Sequence, residues 1–243
     1  MTHATTQDYL WWEEFRSSLG VSGFCFTLVA GPQPAEVLER LAVKPDEPLQ
    51  AGGYIEVGPA EGGSVIVEPA GYLGIMRDAV RPLSAATVLA SVHNNVNHHA
   101  RFIYAVDGKV ITGLDPMFPD EPRWGAEPDR LLPHQEDLGL VDEFDEDDEE
   151  WQAPRGRFVE AALALAERCT GIRLTPEHVR GPLPHAASVA HLYEVRDGQA
   201  PVRTTLHAGR RGWSCFLRQL RGGVGQSSSW RSSRRMRASS AMV

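Results

Sequence analysis

Apolar positions along the first 180 residues fall into short blocks whose spacing alternates between helical and extended. In residues 6–19, Trp11, Phe15 and Leu19 recur every four positions, which predicts a helix with one apolar face. Thr6 would cap its free amides, and Asp8 would sit beside the positive end of its dipole. Trp11 and Trp12 are adjacent, so only one of them can face the core. Residues 24–30, FCFTLVA, are aromatic and β-branched with no charge, which predicts a buried strand ended by Gly31 and Pro32. Pro34 then opens a short helix through Leu41, because a first turn has no use for the missing N–H. Val37, Leu38 and Leu41 form its inward stripe.

Extended patterning dominates the next stretch. Tyr54–Val57 and Ser64–Glu68 read as paired strands around Gly58, Pro59, Gly62 and Gly63. A helix is expected from Ile75 to about Val80, stopped by the cost of continuing through Pro82. Thr87–His93 reads as a strand followed by turn-forming Asn94, Asn95 and Asn97. Arg101–Val106 and Lys109–Gly113 flank Asp107-Gly108, the strongest hairpin signal in the chain. Consecutive hairpin-linked strands between helices predict an α+β fold: a mainly antiparallel sheet of about five strands, flanked by helices, with a poorly ordered C-terminal tail.

The later pattern sets the expected domain organisation. Residues 1–140 form the α+β domain and end in a helix over about 128–138. Residues 141–150 form a linker, since 142–150 are acidic at eight of nine positions and repel one another. Within 151–178 a helix over 157–169, with Phe158, Ala162, Leu165 and Cys169 on one face, packs on the domain. Thr175 caps a short turn beginning at Pro176. Residues 179–221 form an extension in which Leu192–Val195 and Val202–Leu206 could pair as a hairpin about Asp197-Gly198. Residues 222–243 are Gly, Ser and Arg with little to bury, the composition of a disordered basic tail.

Charge changes this picture at one end only. The net charge is −8, but every acidic residue lies at or before Asp197. Residues 1–202 hold 15 basic and 32 acidic residues, a balance of −17, whereas the last 41 residues hold nine arginines and no acid. The acidic body would repel nucleic acid and anionic membranes, so nucleic acid is an expected partner only through the tail, by phosphate contacts and stacking on Trp213 and Trp230. With 42% hydrophobic and 23% charged residues the chain lies in the globular range. Three cysteines, at 25, 169 and 215, form no disulfide framework. There is no apolar run of membrane-spanning length, and the N-terminus lacks the basic-then-apolar pattern of a signal peptide, so a cytoplasmic location is expected.

Five segments carry a resemblance to a known family: FCFTLVAGPQPAEVLERL (24–41), VEPAGYLGIMRDAVRPLS (67–84), NVNHHARFIYAVDGKV (95–110), LDPMFPDEPRWGAEPDRLL (114–132) and ALALAERCTGIRLTPE (162–177). Over about residues 8–178 the chain resembles an actinobacterial family of domains of unknown function. The resemblance implies an intracellular bacterial protein and supplies no reaction. His98 and His99 depart from the family's pattern.

Candidate chemistry is sparse. His93, His98 and His99, with Asp115, offer imidazole and carboxylate groups that zinc accepts, which would suit a small hydrolase or metal-dependent enzyme; His93, His99 and Asp115 are the metal candidates. If 98 and 99 open a strand, their side chains leave on opposite faces, so only one can join. No HExxH, paired CxxC, complete G-x-S-x-G elbow or phosphate-binding glycine loop is present. Cys25 and Cys169 lie on apolar faces and read as small buried hydrophobes. No catalytic residue and no cofactor is therefore expected. In Asp115–Trp124, Pro116, Pro119 and Pro122 stiffen a connector that carries Met117, Phe118, Arg123 and Trp124. Aromatic and arginine anchors on a stiff loop are what protein interfaces use. Another protein is thus the expected partner, and a non-enzymatic regulatory or immunity-type binding module the expected function. The competing expectation is that Phe118 and Trp124 fold back onto the sheet.

Overall fold

Strand β1, Gly23–Ala30, is buried at seven of its eight residues, which requires cover on both faces of the sheet it belongs to. A computed structural model describes residues 4–18, 23–45, 53–95, 97, 99–140 and 157–193. These lie in one compact unit, Met1–Gln199; a second, Ala200–Val243, lies outside the described residues. The sheet also contains β2 (Tyr54–Ala60), β3 (Gly63–Pro69), β4 (Val88–Asn95), β5 (Ala100–Val106), β6 (Lys109–Leu114) and β7 (His185–Ser188). Their order is β6-β5-β4-β1-β3-β2-β7, and every pairing is antiparallel.

The sheet therefore has seven strands among the described residues, not about five. The strand that patterning misses is β7. Its sequence, HAAS, has no β-branched or aromatic residue, and it is extended because it pairs with the edge of β2. The β5–β6 hairpin turns at Asp107 and Gly108 with φ of 48° and 75°, the positive values that a two-residue hairpin turn of this hand requires. Gly58 and Pro59 lie within β2 and not in a turn, and Asn94 and Asn95 extend β4.

Helices cover both faces. A 3-10 turn, Thr6–Tyr9, leads into α1 (Trp11–Ser18); Thr5, not Thr6, caps it, in a reciprocal arrangement with Asp8. The others are α2 (Pro34–Arg40), α3 (Arg77–Leu83), α4 (Leu132–Asp137), α5 (Phe158–Thr170), α6 (Pro176–Arg180) and α7 (Ala190–Tyr193). Helix α3 runs through Pro82 instead of stopping before it. The proline falls in the last turn, where one lost backbone bond is offset by Ser84 N–H bonding to Val80 O at 3.0 Å. Ala190–Tyr193 form α7, so the expected strand Leu192–Val195 is not formed where it is described. The acidic run 142–150, the arm 202–206, His98 and the tail lie outside the described residues.

Two cores result. On one face, Phe24, Phe26, Leu28, Val65, Val67, Ala90, Val92 and Phe102 pack beneath α5 and the aromatic cluster of α1. Here the tryptophan in the core is Trp12, 3% exposed, with Trp11 only partly buried. On the other face, Val29, Ile66, Leu89, Ile103 and Ala105 pack beneath α2, α3 and a 3-10 turn, Leu73–Ile75. No helix among the described residues is long and apolar enough to cross a membrane.

Candidate functional site

Alternation along β1 sends Phe24, Phe26 and Leu28 to one face and Cys25, Thr27 and Val29 to the other. Register then determines what stands beside Cys25. It faces Glu68 of β3 and His93 of β4, and His93 faces Arg101 of β5. Residues directly opposite one another share a face. Glu68, Cys25, His93 and Arg101 therefore form one polar row across four strands, roughly 15 Å long at ~4.8 Å per strand. One step inward, Thr27 and Ser91 extend the polar region, with their hydroxyls 3.0 Å apart and Ser91 Oγ 3.4 Å from Cys25 Sγ.

The row lies under residues 70–76 and α7. Gly71 sits against the Glu68 carboxyl and Gly74 against Thr27, Ser91 and Cys25, so neither position has room for a Cβ. Leu73 N–H donates to Glu68 Oε2 at 2.7 Å, and Tyr193 OH donates to Oε1. Tyr72 N–H lies 3.3 Å from that same tyrosine oxygen, and the Tyr72 and Tyr193 rings are 4.6 Å apart. Glu68 is 1% exposed, whereas Tyr72 is 45% exposed, so the cover over the carboxyl is one aromatic pair thick.

Burial dominates the electrostatics. It pushes the Glu68 carboxyl up to about 8, against the opposing pull of the Leu73 N–H. It pushes the Cys25 thiol up to about 12, helped by the Glu68 charge and opposed by bonds from Ser91, Gly74 and Thr27. His93 falls to about 4, because burial outweighs the hydrogen bonds to the Phe24 and Gly71 backbone. Its Nδ1 is 3.1 Å from Phe24 O, which can only accept, so Nδ1 carries the hydrogen. At neutral pH the three groups stand as acid, thiol and neutral imidazole. A thiol with so high a pKa is not a nucleophile.

The metal candidates stand at the same end of the same face but do not converge. His93 is bonded to backbone, and His99 is exposed at the start of β5. Asp115 Oδ1 accepts from Met117 N–H at 2.9 Å and Phe118 N–H at 3.2 Å. Burial raises the Asp115 carboxyl to about 6. Among the described residues no group of three or more His, Cys, Asp or Glu is placed to hold a metal ion.

The connector is fastened at both ends. Trp124 exchanges backbone bonds with Gly113 (2.7 and 2.9 Å) and lays its indole where a Cβ on Gly113 would be. Arg101 caps that indole, with its guanidinium carbon 5.1 Å from the ring centroid. Arg123 makes a two-nitrogen contact to Asp129 Oδ1 at 2.8 and 2.9 Å. Trp124 thus folds back onto the sheet, while Met117 and Phe118 remain half-buried between the two fastenings.

Residues 2–53 and 49–191 match the family described as "Family of unknown function (DUF6461)". The chain belongs to this family. The family match includes β7 and the start of α7, some thirteen residues beyond the resemblance carried by the quoted segments. The polar row, the connector and the segment over Glu68 all lie inside it. The family's description names no reaction or ligand. No curated protein and no solved structure matches the chain.

Sequence reading undervalues Glu68, Cys25, Ser91 and Arg101. Their one signal is polar residues at every second position of otherwise apolar strands: Cys25 and Thr27, Ser91 and His93. That signal becomes a site only once register places the strands side by side.

Proposed function

We propose that this chain is a non-catalytic protein-binding module whose connector Asp115–Trp124 presents Met117 and Phe118 to another protein. The observation that supports this reading is the pair of fastenings. Asp115 fixes the first turn by accepting two backbone N–H groups, and Gly113 fixes the last by giving one backbone bond to Trp124 and accepting one from it. Met117 and Phe118 lie between them, half-buried. Binding then orders few groups that were free before, and that saving separates strong from weak interfaces of equal area. Arg123 and Trp124 serve the surface differently from Met117 and Phe118. Engaged with Asp129 and Arg101, they shape the connector and leave contact to their neighbours.

Site-specific photo-crosslinking tests this in cells that express the chain natively. A benzophenone side chain at position 117 is expected to capture one discrete protein, while the same group at Lys109, on the hairpin, captures none. Phe118→Ala should weaken the captured complex at least tenfold with circular dichroism unchanged, the loss typical of an aromatic anchor. Equal labelling from positions 117 and 109 would overturn the proposal.

A further inference from the structure

We propose that the outer edge of β7, with the groove between it and α2, is a second interaction surface, independent of the connector, that takes an extended segment of another protein as an added strand. The two edges of the sheet differ in how the chain finishes them. Edge β6 is closed by residues 124–127: Trp124 exchanges backbone bonds with Gly113, Ala126 N–H donates to Val110 O at 3.1 Å, and Glu127 N–H donates to Ile111 O at 2.9 Å. Edge β7 lies at the other end of the strand order. Val189 N–H donates to Gly53 O at 2.7 Å, and Ala187 and His185 stand opposite Ile55 and Val57. Bonded pairs alternate along an antiparallel ladder, so His185 and Ala187 turn their backbone groups to β2, while Ala186 and Ser188 turn theirs outward. Those outward N–H and C=O groups have no backbone partner among the described residues. The strand also lacks the usual devices that blunt an edge: His-Ala-Ala-Ser has no proline or lysine, and its register is unbroken.

The groove determines what the added strand carries. It has a volume of about 470 Å³, and Ala35, Leu38, Val43 and Pro45 line it on the α2 side, with His185 of β7 across from them. Ala187 belongs to the core beneath α2, and His185, two residues before it, shares that face. A strand laid along β7 therefore bonds to Ala186 and Ser188 and sends the side chains opposite His185 and Ala187 toward α2. There the lining suits aliphatic groups, so the segment that fits has them at alternate positions. Glu39 and Lys44 stand at the groove with opposite charges, which favours neither sign. A second copy of this chain fits poorly. Its own β7 would bring only His185, Ala187 and Val189 to that face, and Ala187 and Val189 are at most 1% exposed in their own core. Neither can reach out to fill a neighbour's groove.

Amide exchange of the full chain, read residue by residue by NMR, tests this with an end-blocked peptide of sequence Lys-Thr-Val-Thr-Val-Thr-Lys. In the free chain the Ala186 and Ser188 amides should exchange readily and that of Ala187 slowly. Millimolar peptide should protect Ala186 and Ser188 and leave α5 unchanged. Replacing both valines of the peptide with serine should weaken binding by at least about tenfold, since the groove then gains no apolar contact. Ala186→Pro removes an outward donor and no bond to β2, so it should abolish binding with circular dichroism unchanged. Ala35→Glu, at an exposed position of the groove wall, should weaken binding by about tenfold or more. Protection of Ala186 and Ser188 in the free monomer would overturn the proposal by showing that the chain itself covers the edge. So would equal binding of the valine and serine peptides, or none of either. A dimer in sedimentation velocity that Ala186→Pro dissolves would make a second copy the occupant and overturn it as well.

Discussion

On the face of Phe24, Phe26 and Phe102 the main cover is one regular helix, α5, thirteen residues long and buried from Phe158 to Glu167, with the aromatic cluster of α1 beside it. On the face of Cys25, Ser91 and His93 it is covered by short pieces: α2, α3, a three-residue 3-10 turn and four-residue α7. The strands are the same, so the difference lies in what the alternate residues ask of their cover. Aromatic and branched side chains ask only for volume, and Ala162, Ala164 and Ala166 let the helix come close enough to supply it. The polar row asks for donors and acceptors aimed at particular atoms. A helix interior has none to spare, because its N–H and C=O groups are already paired. Irregular backbone does have them. Leu73 N–H reaches Glu68, Gly74 reaches Cys25 and Gly71 reaches His93. Polar placement on one face thus selects loops and short turns, and with them a less cooperative cover.

That contrast can be tested most forcefully by making similar cavities on the two faces. Leu163 and Leu73 are each at most 1% exposed. Leu163→Ala should cost about 4 kcal/mol, since α5 is held along its whole length and cannot settle into the space. Leu73→Ala should cost about 2 kcal/mol, because a 3-10 turn held chiefly by side-chain contacts can move inward. Urea denaturation of both variants gives the difference; equal losses would mean that the two covers are equally rigid.

A somewhat smaller effect belongs to the polar face and is read by pH. His93 is neutral in the fold down to about pH 4 against an ordinary value of 6.5, so its contribution to stability is present above 6.5 and is lost as pH falls toward 4. Glu68 runs the other way: its contribution is full below 4.5 and is lost as pH rises through about 8. Between pH 4.5 and 6.5 the two terms oppose each other. The folded row holds one proton on Glu68, and the unfolded chain holds one on His93. The row therefore adds almost no pH dependence across that window, although each member alone would add on the order of 3 kcal/mol. Glu68→Gln should unmask a loss of stability toward pH 4.5, and His93→Gln the opposite slope. Denaturant midpoints at pH 4.5 and 6.5 for the two variants, each compared with the unmodified protein, decide it. Parallel slopes in all three would show that the row is not buried as a unit.

Much of this architecture was legible in the chain. The apolar run 24–30, the Asp107-Gly108 hairpin, the Pro34 helix and the helix over 157–169 all stand where patterning puts them, because each rests on a local property. β7 was not legible, since His-Ala-Ala-Ser becomes a strand only by pairing with β2, more than 120 residues away. The polar row was half legible. His93 and Asp115 stand out in the sequence as ligand types, and Cys25 reads as a buried hydrophobe. It is buried, but hydrogen-bonded to Ser91 and opposite an acid. Periodicity gives the face a residue occupies; only register gives its neighbours.

The smallest expected effect concerns the connector, where an exposed fastening can be compared with a half-buried one. Arg123 pairs with Asp129, whose side chain is 70% exposed. Solvent screens such a pair, and Arg123→Ala should cost no more than about 0.5 kcal/mol. Asp115→Ala removes the acceptor of two backbone N–H groups in a half-buried turn and should cost about 1–2 kcal/mol. Asp115→Asn keeps an acceptor oxygen and should recover most of that loss. If the connector owes its shape to Asp115, partner capture from position 117 should fall in Asp115→Ala, return in Asp115→Asn and be unchanged in Arg123→Ala. If capture instead follows Arg123, the ion pair and not the backbone turn holds Met117 and Phe118 in place, and the ordering argument moves to the exposed end of the loop.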